Sequence, residues 1–211
     1  YQMRLFRCDT VDGTYTDAAG KDMYLFVEHK DHGLKMMGNY TFPSLTQTYM
    51  APGGQTAFED EDGKLYLVYH QRFAKTGEFH EPRVHQLFRT KDGWLVAAPF
   101  ATDGETLKED GYSEDEIKGT FYLVNHGTDI SDKVHKPQRI QLNADRTVTG
   151  EELEGTWEAE EGTPYIDVTL GENAYTGVVL EMTDEAGNDT MCFSAKGDNN
   201  ETIWGVKYLL P

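Results

Sequence analysis

The sequence predicts an all-β protein, on three observations. Short runs rich in aromatic and β-branched residues alternate apolar with polar positions, the period of a half-buried strand. Those runs are bounded by Gly, Asp and Asn in strings such as GEN, DEAGND and GDNNE, hairpin turns that tolerate positive φ. Helix signals are almost absent, and SEDEI amounts to at most one turn.

Taken in order, Tyr1–Arg7 alternates as a strand, residues 9–19 are polar and turn-rich, and Met23–Val27 is a second short apolar run. Lys35–Phe42 then leads to Pro52, where the innermost strand of a sheet is expected to begin. Three runs follow: Gln55–Glu59, Lys64–Phe73 and Arg83–Arg89. Asp/Gly turns at 60–63 and 91–93 and a polar loop, Lys75–Glu81, punctuate them. Around TDGETLKEDGYSEDEIK the strand pattern stops, so residues 105–118 read as a linker between a domain at 1–104 and another at 119–211. Beyond it come Gly119–Asn125, Arg139–Leu142, Gly155–Ala159, Tyr165–Leu170, Ala174–Thr183, Thr190–Lys196 and Thr202–Leu209. Their spacing describes an antiparallel barrel or sandwich.

Side chains two apart on a strand share a face, so His70 lies with Arg72 and Arg83 with His85. Together they predict a meander with one imidazole–guanidinium face suited to a polar ligand. The aromatics near loops add Tyr49 and Phe79 as rings on which a sugar could stack. Trp94, Trp157 and Trp204 read as core anchors.

Charge narrows the partners. Lys and Arg total 19 against 37 Asp and Glu, a net charge of −18. Such a surface repels phosphate backbones and anionic membranes, which argues against nucleic acid, whereas a neutral polysaccharide meets no such field. No apolar run approaches the ~20 residues of a membrane span. Cys8 and Cys192 read as free buried thiols rather than as a cross-domain disulfide. No signal peptide is visible, and the chain enters directly into YQMRLFR, a strand already under way, so an upstream portion is expected.

The strings Pro52–Phe58 (PGGQTAF), Gly63–Phe73 (GKLYLVYHQRF), His80–Phe88 (HEPRVHQLF) and Asp92–Phe100 (DGWLVAAPF) resemble the closing blade of glycoside hydrolase family 43, on its arabinanase-like branch. YQMRLFR and KMMGNYTF resemble the segment before that blade. YLVNHGTDIS, GTW and the terminal IWGVKYLLP resemble, more loosely, the small β-barrel that follows the propeller in several of these proteins. The resemblance implies the last strands of a five-bladed β-propeller followed by an antiparallel barrel, from a secreted or cell-surface parent enzyme. It implies inverting hydrolysis of α-L-arabinofuranosyl linkages, most plainly in arabinan, by carboxylates roughly 6.5–9.5 Å apart. Those carboxylates belong to blades upstream of Tyr1, so this chain is expected to hold no catalytic residue, to be inactive alone, and to pair with the upstream half.

The family's PGHNS histidine, which organises calcium or another cation at the propeller axis, is replaced here by Gly54. Gln55 is the residue this chain would bring to that metal and to the pocket. His70, Arg72, Arg83 and His85 recur in the matching strands, as pocket lining or as a cross-strand ladder that fastens the blade. Glu81 is expected to pair with Arg83. The acidic runs 59–62, 114–116 and 158–161 read as solvated surface. Two rival readings are a carbohydrate-binding protein without activity and a family 43 enzyme acting as a xylosidase or arabinofuranosidase.

Overall fold

A computed structural model describes residues 1–25, 31–77 and 79–208. Among the described residues the chain forms fourteen strands, one 3-10 turn and one short α-helix. β1 (Met3–Leu5) pairs with β2 (Leu34–Met37) as a two-stranded ribbon. β3 (Tyr49–Glu59), β4 (Leu65–Phe73), β5 (His80–Arg89) and β6 (Leu95–Ala97) form a four-stranded antiparallel sheet in sequence order, the form of a single propeller blade. After α1 (Glu114–Ile117), β7 (Gly119–Asn125), β8 (Gln138–Leu142), β9 (Thr147–Gly150), β10 (Glu154–Ala159), β11 (Tyr165–Leu170), β12 (Asn173–Thr183), β13 (Asp189–Gly197) and β14 (Thr202–Lys207) run up and down and close β14 onto β7. Between barrel and sandwich, the chain takes the barrel.

The barrel interior follows from the alternation. Phe121, Leu123, Ile140, Val168, Phe193 and Ile203 point inward with Trp157, all 2% exposed or less. Gly205 has no room for a side chain, because a Cβ there would lie 2.0 Å from the Phe193 ring. The outward residues of β7, β12, β13 and β14 are buried as well. Val124, Val178, Leu180, Cys192, Trp204 and Val206 join Tyr40, Tyr69, Phe88 and Phe100 in one core that spans sheet and barrel. A barrel wall apolar on both faces explains the near-continuous hydrophobic runs of β12 and β14, the pattern of strands covered on both sides.

Ion pairs clasp the same seam. Lys196, 3% exposed, places Nζ 2.6 Å from Asp92 in the β5–β6 turn and 2.7 Å from Asp198. Lys91 in that turn reaches Asp167 on β11, and Arg7 stacks over Trp94 at 4.3 Å. All three tryptophans are buried. Both cysteines are free, Cys192 fully buried and Cys8 only partly.

Several boundaries differ from the sequence reading. β3 starts at Tyr49 and passes through Pro52, tolerated because β3 is an edge strand whose register slips on either side of Gly53. β5 begins at His80, since His80, Glu81 and Pro82 continue the ladder opposite Arg72, Gln71 and His70. The run Met23–Val27 gives a 3-10 turn over Met23–Leu25, and its last two residues lie outside the described residues, as does Leu209. The stretch expected as a linker is packed rather than free. Leu107 lies against the shared core, Tyr112 against the barrel core, and Ile117 is 1% exposed within it. α1 carries a full capping box, with the Ser113 side chain accepting from Glu116 N and the Glu116 carboxylate accepting from Ser113 N.

Candidate functional site

The register of the sheet decides which predicted site residues meet. β4 pairs with β5 so that Leu67 lies opposite His85, Tyr69 opposite Arg83 and Gln71 opposite Glu81, while His70 faces Pro82 and Arg72 faces His80. His70 and Arg72 therefore lie on one face and Arg83 and His85 on the other. The single imidazole–guanidinium face expected from sequence does not form.

On the inner face His85 is fully buried. Its Nδ1 lies 2.6 Å from the Ala98 carbonyl and must carry the proton, so Nε2 accepts the Tyr69 hydroxyl at 3.0 Å. Burial pushes this imidazole down to about 4, partly opposed by the Ala98 bond. The ring stacks near-parallel on Trp204 of the barrel, with centroids 6.1 Å apart. His85 thus fastens sheet to barrel and does not face solvent.

Arg83 donates to Glu81 Oε2 at 2.9 Å, to the Pro82 carbonyl at 3.0 Å and to the Tyr49 hydroxyl at 3.3 Å. It also lies over the rings of Phe73 and Tyr49. The expected Glu81–Arg83 pair is present. Tyr49, read as a loop residue with an open ring, instead opens β3, is 4% exposed, and packs edge-on to Tyr40 and Phe73. It offers no free face for stacking. Phe79 does, at 58% exposed.

The outer face gathers around the strand that carries Gln55. β3 is an edge strand, and residues 54–59 are exposed throughout. Gly54 has φ +60°, and a Cβ built there would stand 2.8 Å from His70 Nδ1. The His70 ring therefore lies beneath the backbone that precedes Gln55, so any side chain at position 54 requires that ring to move. Tyr1 meets His70 edge-on at 5.7 Å and His80 lies 5.2 Å from it. Arg72, on the same face, donates to the Gly77 carbonyl at 3.3 Å. The structure thus brings His70, Arg72 and His80 to one side of the sheet and sends Tyr49, Arg83 and His85 to the other, with Gln55 exposed in the irregular stretch of β3 between Gly53 and Thr56.

A buried contact, not visible in the sequence, holds this strand. Ala51 has φ +48°, costly for a residue with a Cβ. Its N–H donates to Asn39 Oδ1 at 2.7 Å, and Asn39 in turn accepts from His135 N of the β7–β8 loop at 3.0 Å. Arg4 and Lys35 grip the same loop. Arg4 donates to the Thr128 carbonyl at 2.5 Å, and Lys35 to Asp129 Oδ1 at 3.0 Å. Burial works against charge on Asp129, yet the Ser131 hydroxyl and the Lys35 ammonium hold its carboxyl well below the usual range. The barrel is thereby tied to the approach of the Gln55 strand.

The metal expectation finds no complete ligand set. Among the described residues no three His, Cys, Asp or Glu side chains converge to hold an ion. The exposed Gln55 amide and its neighbour His70 are what this chain offers at that point.

The fold is that of an all-β protein in which one blade-like sheet packs on a closed eight-stranded barrel. Comparison makes the class specific. Residues 99–205 match the model of the C-terminal lipocalin-like domain of glycoside hydrolase family 43, and the chain belongs to that family. It is 40% identical to the extracellular endo-alpha-(1->5)-L-arabinanase 2 of Bacillus subtilis over 98% of its length, which is 46% of that protein. It is 34% identical to the extracellular endo-alpha-(1->5)-L-arabinanase of Thermotoga petrophila, again over 98% of this chain and 46% of that one. Among solved structures, a family 43 glycoside hydrolase from Bacillus licheniformis superposes with a TM-score of 0.91 at 35% identity, covering all of this chain and 49% of that one. The crystal structure of the endo-1,5-alpha-L-arabinanase from Thermotoga petrophila gives 0.91 at 34%, over 99% of this chain and 49% of its own. The chain thus spans about half the length of the relatives it matches.

Proposed function

We propose that this chain is the carboxy-terminal portion of a secreted arabinan-cleaving enzyme. In this reading the sheet closes a five-bladed propeller and the barrel braces it. The observation that carries the reading is the alignment with two extracellular arabinanases across 98% of this chain, sheet and barrel together. The catalytic carboxylates lie in the complementary half, and inversion requires an acid and a base separated by roughly 6.5–9.5 Å with a water between. The exposed edge of β3, with its unpaired backbone groups, is the face the complementary half would cover. Gln55 and Phe79 are the exposed residues this chain contributes toward the sugar. His70 sets the height of the strand beneath Gln55, and a shared cation at the axis would take the Gln55 amide from this side.

The test is hydrolysis of debranched arabinan, followed by the release of arabino-oligosaccharides. This chain alone should release none. Co-expressed with residues upstream of the matching segment from the Bacillus subtilis relative, it should form a one-to-one complex that does. Arabinan cleavage by the chain alone, or a complex that acts only on xylan substrates, overturns the reading.

A further inference from the structure

The two ends of the barrel are built differently. One is stoppered by α1, which lays Ile117 into the barrel core with Tyr112 beside it. At the other end β7, β9, β11 and β13 finish and β8, β10, β12 and β14 begin. There a cleft of about 740 Å³ opens beneath the β7–β8 loop, within the ~300–1,000 Å³ of small-molecule sites. Its floor is apolar, formed by Leu123, Leu153 and Leu170.

One carboxylate is fixed in its wall. Tyr175, 2% exposed, donates its hydroxyl to Glu201 Oε2 at 2.5 Å, and Asn125 Nδ2 donates to the same oxygen at 2.9 Å. Asn125 is itself oriented by accepting from Gly127 N at 2.7 Å. Glu201 has no cationic partner among the described residues, and Oε1 accepts no bond from them. A half-buried carboxylate pinned by two neutral donors at the cleft wall, with one oxygen left over, is positioned to accept hydrogen bonds from a ligand.

The surroundings choose the ligand. Lys133 and Lys136 also line the cleft, but an anion would still meet Glu201, Asp129 and the net charge of −18. A fatty chain would use the leucine floor and leave the carboxylate unmatched. A saccharide uses both, since its hydroxyls donate to Oε1 and its C–H face packs on the leucines. We propose that the open end of the barrel is a binding site for a short neutral saccharide, with Glu201 accepting its hydroxyl hydrogens and Asn125 and Tyr175 holding that carboxylate in place. This goes beyond the hydrolase reading and does not depend on it.

The experiment is an amide NMR titration of the full chain with α-1,5-linked arabinotriose, with xylotriose and spermidine in parallel. A saccharide should give saturable shifts centred on residues 123–127, 170–175 and 199–202, with Kd on the order of 1 mM. Glu201→Ala should weaken binding by about tenfold or more. Leu153→Trp, which fills the floor without touching the polar network, should abolish it, and Val11→Ala, at an exposed position outside the barrel, should leave it unchanged. The proposal fails if neither saccharide gives saturable shifts. It fails equally if binding survives both barrel variants, or if spermidine binds at the mouth and the saccharides do not. Because the titration needs no hydrolysis, a negative result leaves the arabinanase reading standing, and loss of that reading leaves this one standing.

Discussion

Acid should loosen the seam between sheet and barrel before it protonates the carboxylates. Two fully buried imidazoles sit there. His85 is held by Tyr69 and Ala98, whereas His126 lies edge-on to Trp204 at 4.3 Å with neither ring nitrogen hydrogen-bonded to a described residue. Burial pushes His85 down to about 4 and His126 well below the ordinary value of 6.5. Both are neutral when folded and take up a proton on unfolding. Stability is therefore complete above pH ~6.5, falls as acid is added, and levels off for His85 near its folded value. Integrating from pH 7 to pH 5, His85 removes about 2 kcal/mol, against a total of ~5–15 kcal/mol for a domain, and His126 adds a loss of the same sign. The assay is urea unfolding followed by tryptophan fluorescence, at half-unit intervals of pH. Carboxylates begin to protonate at the acid end of this range and relieve like-charge repulsion there, so the decisive comparison is with His126→Leu, close in volume and without nitrogens to bury. That variant should lose only about 2 kcal/mol over the interval, a slope smaller by one proton. An identical slope in the two proteins refutes the assignment of His126 as a buried neutral base.

Four further substitutions test the packing. Asn39→Ala removes the acceptor that holds Ala51 at positive φ, and should cost about 1–3 kcal/mol while speeding amide exchange at Gly53–Thr56 more than in β4 or β5. Gly205→Val must displace the Phe193 ring from 2.0 Å, and should destabilise by several kcal/mol, on the order of 3, or prevent folding, as read by thermal melting. Lys196→Met replaces a buried ammonium by an apolar chain of similar length and should fall within about 1 kcal/mol of the parent. Asp92→Ala, which leaves Lys196 with only the exposed Asp198, should cost more than Lys196→Met does.

The barrel was legible because its strands alternate cleanly between Gly and Asp turns, and Gly119–Asn125 and Tyr165–Leu170 fall where the pattern puts them. β9 was not, because TVTG is too short to show a period before Glu151 and Glu152 intervene. The site was misread for one physical reason. Alternation within a strand fixes which side chains share a face, but not which face of the neighbour they meet. That depends on the connection between Phe73 and His80, whose length pairs His70 with Pro82 rather than with Arg83. Tyr49 was assigned to a loop because the strand was expected to begin at Pro52, whereas β3 starts at Tyr49 and carries Pro52 within an edge strand of irregular register. The cleft at the barrel mouth left no mark in the sequence, since Asn125, Tyr175 and Glu201 meet only when the barrel closes.

Closure of β14 onto β7 also sets an order of events. The two strands are joined across the whole length of the barrel, so their contact carries the largest loop-closure entropy in it and forms late. β14 is also the strand whose Trp204 and Val206 cover the inner face of the sheet. During synthesis that face is only partly covered, by β7, β12 and β13, until the final described strand has left the ribosome. The sheet's aromatic surface is then a transient hazard, and mutations that slow barrel closure should lower yield through aggregation before they lower the stability of protein already folded.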